Sequence, residues 1–263
     1  MTARRRLDAE LVRRGLARSR EHAADLVSAG RVRVAGRPAG KPATAVEAAA
    51  AIVVVDGAPT YVSRGALKLL GALDRLAPVV AGRRCLDAGA STGGFTQVLL
   101  ERGAREVVAV DVGYGQLHWS LRCDPRVQVL DRTNVRTLAP VDVGGLTDLT
   151  VADLSFISLR LVLPALLGCT RPDGDALLLV KPQFEVGRGQ VGAGGVVRDP
   201  QARAGAVQAV ATTAADLGWG TAGVVASPLP GPAGNVEYFL WLRRDAPPPQ
   251  PAAVAAAVAE GPT

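Results

Sequence analysis

The sequence predicts an α/β protein: a mostly parallel, seven-stranded sheet with helices on both faces, preceded by a small α+β module. Three observations carry this. From residue 84 onward, continuous apolar runs alternate with helical patterns, as in a doubly wound sheet. Within that region, Arg84–Leu100 reads as strand, glycine-rich turn and apolar-periodic helix. Residues 1–41, in contrast, hold eleven Lys and Arg side chains against four acidic ones, more than the whole net charge of +6.

In the basic segment, Leu7, Leu11 and Val12 are spaced for an amphipathic helix ending at Gly15, and Ser19 caps a second helix that runs through Leu26 and Val27 to Gly30. Arg31-Val-Arg-Val34 alternates as a strand, with Gly36 at the turn. Ile52–Val55 is the last strand of this module, which spans 1–58, and 59–62 is the expected linker. The larger domain spans 63–244. Ser63 caps its entry helix, whose apolar positions are Leu67, Leu69, Leu70 and Leu73.

Strands follow at the start of Arg84–Leu100, at Val107–Asp111, Val127–Asp131, Leu149–Asp153 and Ala176–Lys181, and later near Ala222–Ala226 and Glu237–Leu242. Unbroken apolar runs suit parallel strands buried on both faces. Ligands in such sheets bind beyond the carboxyl ends of the strands, so Asp87, Asp111, Asp131, Asp153 and Lys181 are expected to face one crevice. The glycine-rich run from Glu185 to Asp199 is expected to be a mobile, structureless loop. The Pro- and Ala-rich tail, 245–263, is expected to be disordered.

Several function classes are disfavoured at once. No apolar run approaches the roughly 20 residues needed to span a bilayer, and the basic N-terminus has no apolar core behind it. Three widely spaced cysteines fit neither a disulfide framework nor a zinc site, which suggests a reducing cytoplasm. With only His22 and His118, no metal site is expected. The basic segment suits a polyanion, an anionic membrane surface or simply solvent, and charge alone does not choose among them.

The turn after Asp87 lacks both Gly-x-Gly-x-x-Gly and the P-loop pattern. Asp87-Ala-Gly-Ala-Ser-Thr-Gly93 instead resembles the cofactor loop of S-adenosylmethionine (SAM) methyltransferases. Asp111, at the end of the next strand, can accept ribose hydroxyls, and Asp131 stands where such enzymes meet adenine or its ribose. None of Cys85, Cys123 and Cys169 looks like an activated thiol. Lys181 closes the most apolar strand and is followed by Pro182; a lysine there is a candidate base, or a group that orients a hydroxyl. Tyr114 and Trp119 are candidates for stacking on a base, against ordinary packing.

Arg6-Leu-Asp through Ser19-Arg20 and Gly30-Arg-Val-Arg-Val34 resemble an S4 domain, a small RNA-binding module. The order Lys68, Asp153, Lys181, Glu237 resembles the catalytic tetrad of FtsJ-type ribose 2′-O-methyltransferases. With Val62-Ser-Arg-Gly65, Leu86–Phe95, Asp111–Gln116, Ala152–Ser158, Leu179–Glu185 and Pro230–Glu237, the chain resembles the TlyA family of haemolysin A-type rRNA methyltransferases from about Arg4 to Arg243. It departs from mycobacterial members at the linker, Pro59-Thr-Tyr-Val62.

The resemblance implies SAM as cofactor and methylation of cytidine 2′-hydroxyls in 16S and/or 23S rRNA on assembled subunits. It also implies sensitivity to capreomycin-type antibiotics, a monomer, and no membrane partner. It places Lys68, Asp153, Lys181 and Glu237 in catalysis, and Asp87, Gly89, Ala90, Ser91, Thr92, Gly93, Gly94, Phe95, Asp111, Asp131 and Asp153 at the cofactor. The expected RNA-binding residues are Arg4, Arg5, Arg6, Arg14, Arg18, Arg20, Arg31, Arg33, Lys41, Arg64 and Arg188. The competing functions are a catalytically silent ribosome assembly factor and a membrane-active haemolysin.

Overall fold

The computed structural model describes residues 4–28, 31–39, 41–47, 49–55 and 61–261, with Arg4, Ser28, Pro38 and Arg188 described by backbone alone. The chain divides into two units, residues 1–60 and 61–263. Half of the expected linker, Pro59 and Thr60, lies outside the described residues. Tyr61 and Val62 belong to the second unit: Val62 N–H donates to Gln97 Oε1 (3.0 Å) and Tyr61 OH to Glu101 Oε2 (2.9 Å).

The first unit runs β1 (Arg4–Arg6), α1 (Leu7–Arg13), α2 (Arg20–Ser28), β2 (Val32–Val34), β3 (Arg37–Pro38), β4 (Ala45–Glu47) and β5 (Ile52–Val54). Its core gathers Leu7, Leu11, Ala23, Leu26, Val27, Val32, Val46 and Ile52. Ser19 Oγ accepts the His22 N–H (3.1 Å), as expected of the cap. Ala35 and Gly36 both have positive φ, which turns β2 back on β3 in a two-residue hairpin.

Two buried carboxylates organise the arginines here. Asp8 accepts hydrogen bonds from Arg6 (2.9 and 3.2 Å) and Arg20 (3.1 Å). Glu10 accepts from Arg13 (2.6 and 2.8 Å) and Arg14 (2.8 Å). Three of the arginines expected to bind RNA, Arg6, Arg14 and Arg20, thus also hold this unit together, whereas Arg5, Arg18, Arg33 and Lys41 are exposed.

The Arg6 bond to Asp8 and the Arg13 and Arg14 bonds to Glu10 hold both carboxyls at about 2, below their usual 3.8 and 4.5. A carboxyl held low in the folded state stabilises it above its unfolded value and loses that contribution as pH falls. Amide protection factors across residues 4–28 of the full chain, with each rate referred to the intrinsic rate at its pH, should therefore fall between about pH 4.5 and 2, and Glu10→Gln should shrink that fall. Unchanged protection over this range would show that the pairs do not hold the unit.

The second unit runs α3 (Gly65–Leu76), β6 (Arg84–Ala88), α4 (Gly94–Glu101), β7 (Glu106–Val110), α5 (Trp119–Arg122), β8 (Val127–Leu130), β9 (Thr147–Ala152), α6 (Leu159–Gly168), β10 (Thr170–Val180), α7 (Pro182–Glu185), α8 (Pro200–Asp216), β11 (Gly220–Ala226), β12 (Tyr238–Arg243) and α9 (Pro251–Ala259). The seven strands pair in the order β11-β12-β10-β9-β6-β7-β8. The pairs from β10 to β8 are parallel, and β12 is antiparallel to both its neighbours. One face is covered by α3 and α4 through Leu69, Leu73, Val98 and Leu99. The other is covered by α6, α8 and α9 through Val162, Leu166, Val207, Val210 and Val258.

The structure departs from the sequence expectations at three places. Ser63 does not cap α3 with its side chain; Arg64 is the N-cap position, and Ser63 contributes its carbonyl to Ala66 N–H (3.2 Å). Leu67 points outward, and the helix buries Lys68 instead. The tail is not wholly disordered. Val254, Ala257 and Val258 form an i, i+3, i+4 stripe that buries on the core, Thr221 N–H bonds Pro247 O (2.8 Å), and Glu260 pairs with Arg75. Its low-complexity composition hides that stripe. The run after Lys181 is likewise tied down: it forms α7 and two short 3₁₀ turns, and Asn235 bonds Val197 N–H (2.9 Å) and Gly195 O (2.8 Å).

Candidate active site

Between β6 and α4 the backbone reverses through Gly89 (φ +85°), Ser91 (φ +47°) and Gly93 (φ +98°). A Cβ on Gly89 would lie 2.6 Å from the Asp153 carbonyl oxygen, and one on Gly94 2.1 Å from Ser63 Oγ. Glycine is therefore required here by close approach as well as by φ. Asp111 braces the turn from the next strand end: its two carboxylate oxygens accept the N–H groups of Ser91 (2.8 Å) and Gly113 (2.7 Å).

Asp87 lies beneath the loop and is fully buried. Its Oδ2 accepts the Thr96 hydroxyl (2.6 Å), while Oδ1 has no partner among the described residues. Burial pushes this carboxyl up to about 7. Asp131 is engaged elsewhere, paired with Arg122 (2.5 Å), which holds its carboxyl low.

Beyond the sheet's carboxyl edge lies an open cleft of about 360 Å³. Of the expected cofactor residues, Gly89, Ala90, Ser91, Thr92, Gly94, Phe95 and Asp153 line it. Gly93 caps α4, and Asp87, Asp111 and Asp131 are not part of the lining. Of the strand-end groups expected to share one crevice, Asp153 and Lys181 line this cleft, while Asp111 and Asp131 also bond neighbouring protein groups.

The four expected catalytic side chains form two ion pairs. Lys68 Nζ meets Glu237 Oε2 at 2.6 Å, and Lys181 Nζ meets Asp153 Oδ1 at 2.6 Å. Lys68, Lys181 and Glu237 are each less than a tenth exposed. The pairs are adjacent: burial raises the Glu237 carboxyl, and the charges of Lys68 and then Lys181 oppose that rise. Charges removed from water at this cost are weak contributors to stability and strong candidates for function. Lys68, Asp153 and Lys181 line the cleft; Glu237 stands behind Lys68.

Sequence reasoning missed three groups. Ser155 Oγ accepts a hydrogen bond from Lys181 Nζ (2.9 Å), beside the ion pair with Asp153. Phe156, next to it, is 92% exposed with φ +64°, and its ring stands 5.4 Å from that of Phe184. Glu185 is buried against the start of α6. All three fall within motifs already singled out at strand ends, but only the pairing of β9 with β10 brings them together. Tyr114 and Trp119 are exposed; Tyr114 stacks under the Arg132 guanidinium (4.3 Å). Among the RNA candidates of this unit, Arg64 lines the cleft and bonds Pro230 O (3.3 Å), whereas the Arg188 side chain lies outside the described residues. No helix among the described residues is long and apolar enough to cross a membrane, and they hold no metal-binding cluster.

Comparison with known proteins places this geometry. The FtsJ-like methyltransferase family matches residues 61–244, and the S4 domain matches residues 5–52. The chain is 68% identical to the 16S/23S rRNA (cytidine-2′-O)-methyltransferase TlyA of Mycobacterium tuberculosis, over 92% of this chain and 91% of that protein. It is 36% identical to Hemolysin A of Brachyspira hyodysenteriae, over 89% of this chain and 98% of that one. A solved structure from Streptococcus thermophilus, titled as a hemolysin candidate, superposes with a TM-score of 0.75 at 38% identity, covering 99% of this chain and 96% of that one. The chain, with its S4 domain ahead of a methyltransferase unit, belongs to the FtsJ-like methyltransferase family and within it to the TlyA group.

Proposed function

We propose that this protein transfers a methyl group from SAM to the ribose 2′-hydroxyl of cytidine in ribosomal RNA, 16S and/or 23S, within assembled subunits in the cytoplasm. One observation carries the reading: Lys181 Nζ is held between Asp153 and Ser155 at the cleft, beside the Lys68–Glu237 pair and the glycine loop. The 68% identical TlyA enzyme, named for this reaction, supports the substrate.

The cleft suits SAM. The glycines let the turn close on the Asp153 carbonyl and on Ser63, which shapes one wall of the cleft, and Asp87 Oδ1 keeps an unpaired acceptor behind the loop. Bound SAM supplies an electrophilic methyl group on a sulfonium. A free amine at Lys181 has two N–H groups, one of them given to Ser155, and one lone pair for the hydroxyl proton. As an ammonium it offers its third N–H to orient the 2′-oxygen instead. In both forms Asp153 and Ser155 fix the direction of Nζ, and Lys68 balances the charge of Glu237 behind it.

Phe156 would carry the base. A non-glycine residue at positive φ that exposes a whole aromatic ring stores strain where a ligand is handled, and aromatic faces stack on bases for about 1–3 kcal/mol. Phe156→Ala should raise the KM for subunits roughly 5- to 100-fold and leave SAM affinity unchanged. An unaltered KM would remove Phe156 from RNA contact. The exposed basic side chains of the first unit supply phosphate contacts, and the affinity they give should fall with added salt.

The reading is tested by incubating the purified protein with SAM and 30S or 50S subunits lacking the modification, then digesting the RNA for mass spectrometry. Appearance of 2′-O-methylcytidine is expected in at least one subunit. Its absence from both would overturn the proposal. Where the nucleoside does appear, restoring the gene to a strain lacking it should lower that strain's tolerance of capreomycin.

A further inference from the structure

The side chain after the catalytic strand that does most to connect its surroundings is one to which no step of the reaction has been assigned. Glu185 closes α7, a single turn beyond Lys181. Its Oε2 accepts the Ser158 hydroxyl (2.6 Å) and its Oε1 the Leu159 N–H (2.6 Å), the first turn of α6. Arg160 reaches both its carboxylate (3.5 Å) and its backbone carbonyl (3.3 Å). The side chain is 7% exposed, so this is a buried anion on a helix start.

The consequence lies in what the two segments carry. One runs from Lys181 to Glu185. The other runs from Asp153 through Ser155 and Phe156 to Ser158. They are tied at one end by Lys181 Nζ on Asp153 and Ser155, and at the other by Glu185 on Ser158 and Leu159. The Phe156–Phe184 ring contact joins their middles. The second segment includes the positive φ of Phe156, a conformation that relaxes unless its surroundings impose it.

We infer that Glu185 is a positioning residue: by clamping the start of α6 to the turn after Lys181, it fixes Asp153, Ser155 and Phe156 against the lysine. Burial raises the Glu185 carboxyl, and the bonds from Ser158 and Leu159 oppose that rise. The inference rests on the proposed methyl transfer. A misplacement of about 1 Å at a reacting group costs on the order of 100-fold in rate, and here the misplaced groups would be the two partners of Nζ.

Glu185→Gln keeps the size but can accept only one of the two hydrogen bonds, and Ser158→Ala removes one of them from the other side. The test is single-turnover methylation of unmodified subunits by the full-length variants, beside SAM affinity and thermal melting. Glu185→Gln is expected to lower the maximal rate about 10- to 100-fold with subunit KM and SAM Kd within about twofold of wild type. Ser158→Ala should give a smaller loss of the same kind. A wild-type rate in Glu185→Gln would overturn the inference, as would a rate reduced only in proportion to the folded fraction. If Glu185→Gln does not fold, Ser158→Ala decides by the same criteria. Should wild-type protein itself fail to methylate either subunit, the proposed function falls; active wild type with an equally active Glu185→Gln removes this inference alone.

Discussion

Replacing Lys181 with methionine is expected to lower the single-turnover rate of methyl transfer about 10²- to 10⁴-fold, the range for losing a positioned acid–base group, while SAM binds as before. Methionine keeps the length and apolar stem of the side chain, so the end of β10 stays packed. It removes the hydrogen bond to Ser155, the ion pair with Asp153 and the group proposed to meet the 2′-oxygen. Asp153 is left without its partner, but its side chain is about a fifth exposed and water can solvate it. Labelled methyl transfer gives the rate, and calorimetric titration gives SAM affinity. A variant within about threefold of wild type would exclude Lys181 from the chemical step, well short of the loss expected for such a group.

Gly89→Ala carries the second large effect, on binding and stability together. The positive φ of Gly89 costs an L-residue about 1 kcal/mol, and the added methyl would meet the Asp153 carbonyl at 2.6 Å and Leu154 Cδ2 at 2.9 Å. A backbone oxygen cannot swing aside as a side-chain tip can. Relief must come from moving the loop or the end of β9, which carries Asp153. Gly218→Ala is the matched control: it has φ +81° but open space around its Cβ. Thermal melting should show a loss of about 1 kcal/mol for Gly218→Ala and at least about twice that for Gly89→Ala. SAM affinity should fall more than about tenfold, the equivalent of 1.4 kcal/mol, only for Gly89→Ala. Equal effects in the two variants would mean that close approach at the loop is unimportant.

Much of the fold is legible in the sequence because buried parallel strands are written as unbroken apolar runs. Cys85-Leu86, Val107–Val110 and Leu177–Val180 lie in strands for that reason, and each run ends at the edge where chemistry gathers. The glycine loop is legible because positive φ and close approach leave few substitutes for glycine. Lys68, Asp153, Lys181 and Glu237 are legible only as an ordered resemblance; Lys181 meets Asp153 because β10 runs parallel beside β9, and Glu237 joins them because β12 runs antiparallel beside β10.

What escapes a one-dimensional reading is the use a side chain makes of a distant neighbour. Arg14 and Arg20 read as phosphate ligands, and nothing in the sequence signals that Glu10 and Asp8 also hold them. Glu185 looks like the start of a loop until Ser158, 27 positions earlier, meets it. Phe156 looks like another apolar residue of a strand end, and only the backbone turns its ring outward. The alanines and valines of α9 read as low complexity because composition does not report the face they share.

The central claim is that the two ion pairs serve transfer to a ribose oxygen and not to a base. Alkaline hydrolysis tests this directly, since cleavage of RNA by base requires a free 2′-hydroxyl. Unmodified subunits are incubated with the protein and methyl-labelled SAM, and the extracted RNA is hydrolysed in alkali. The label is expected to emerge in alkali-resistant dinucleotides with cytidine on the 5′ side. Label confined to mononucleotides would place the methyl on a base and contradict it.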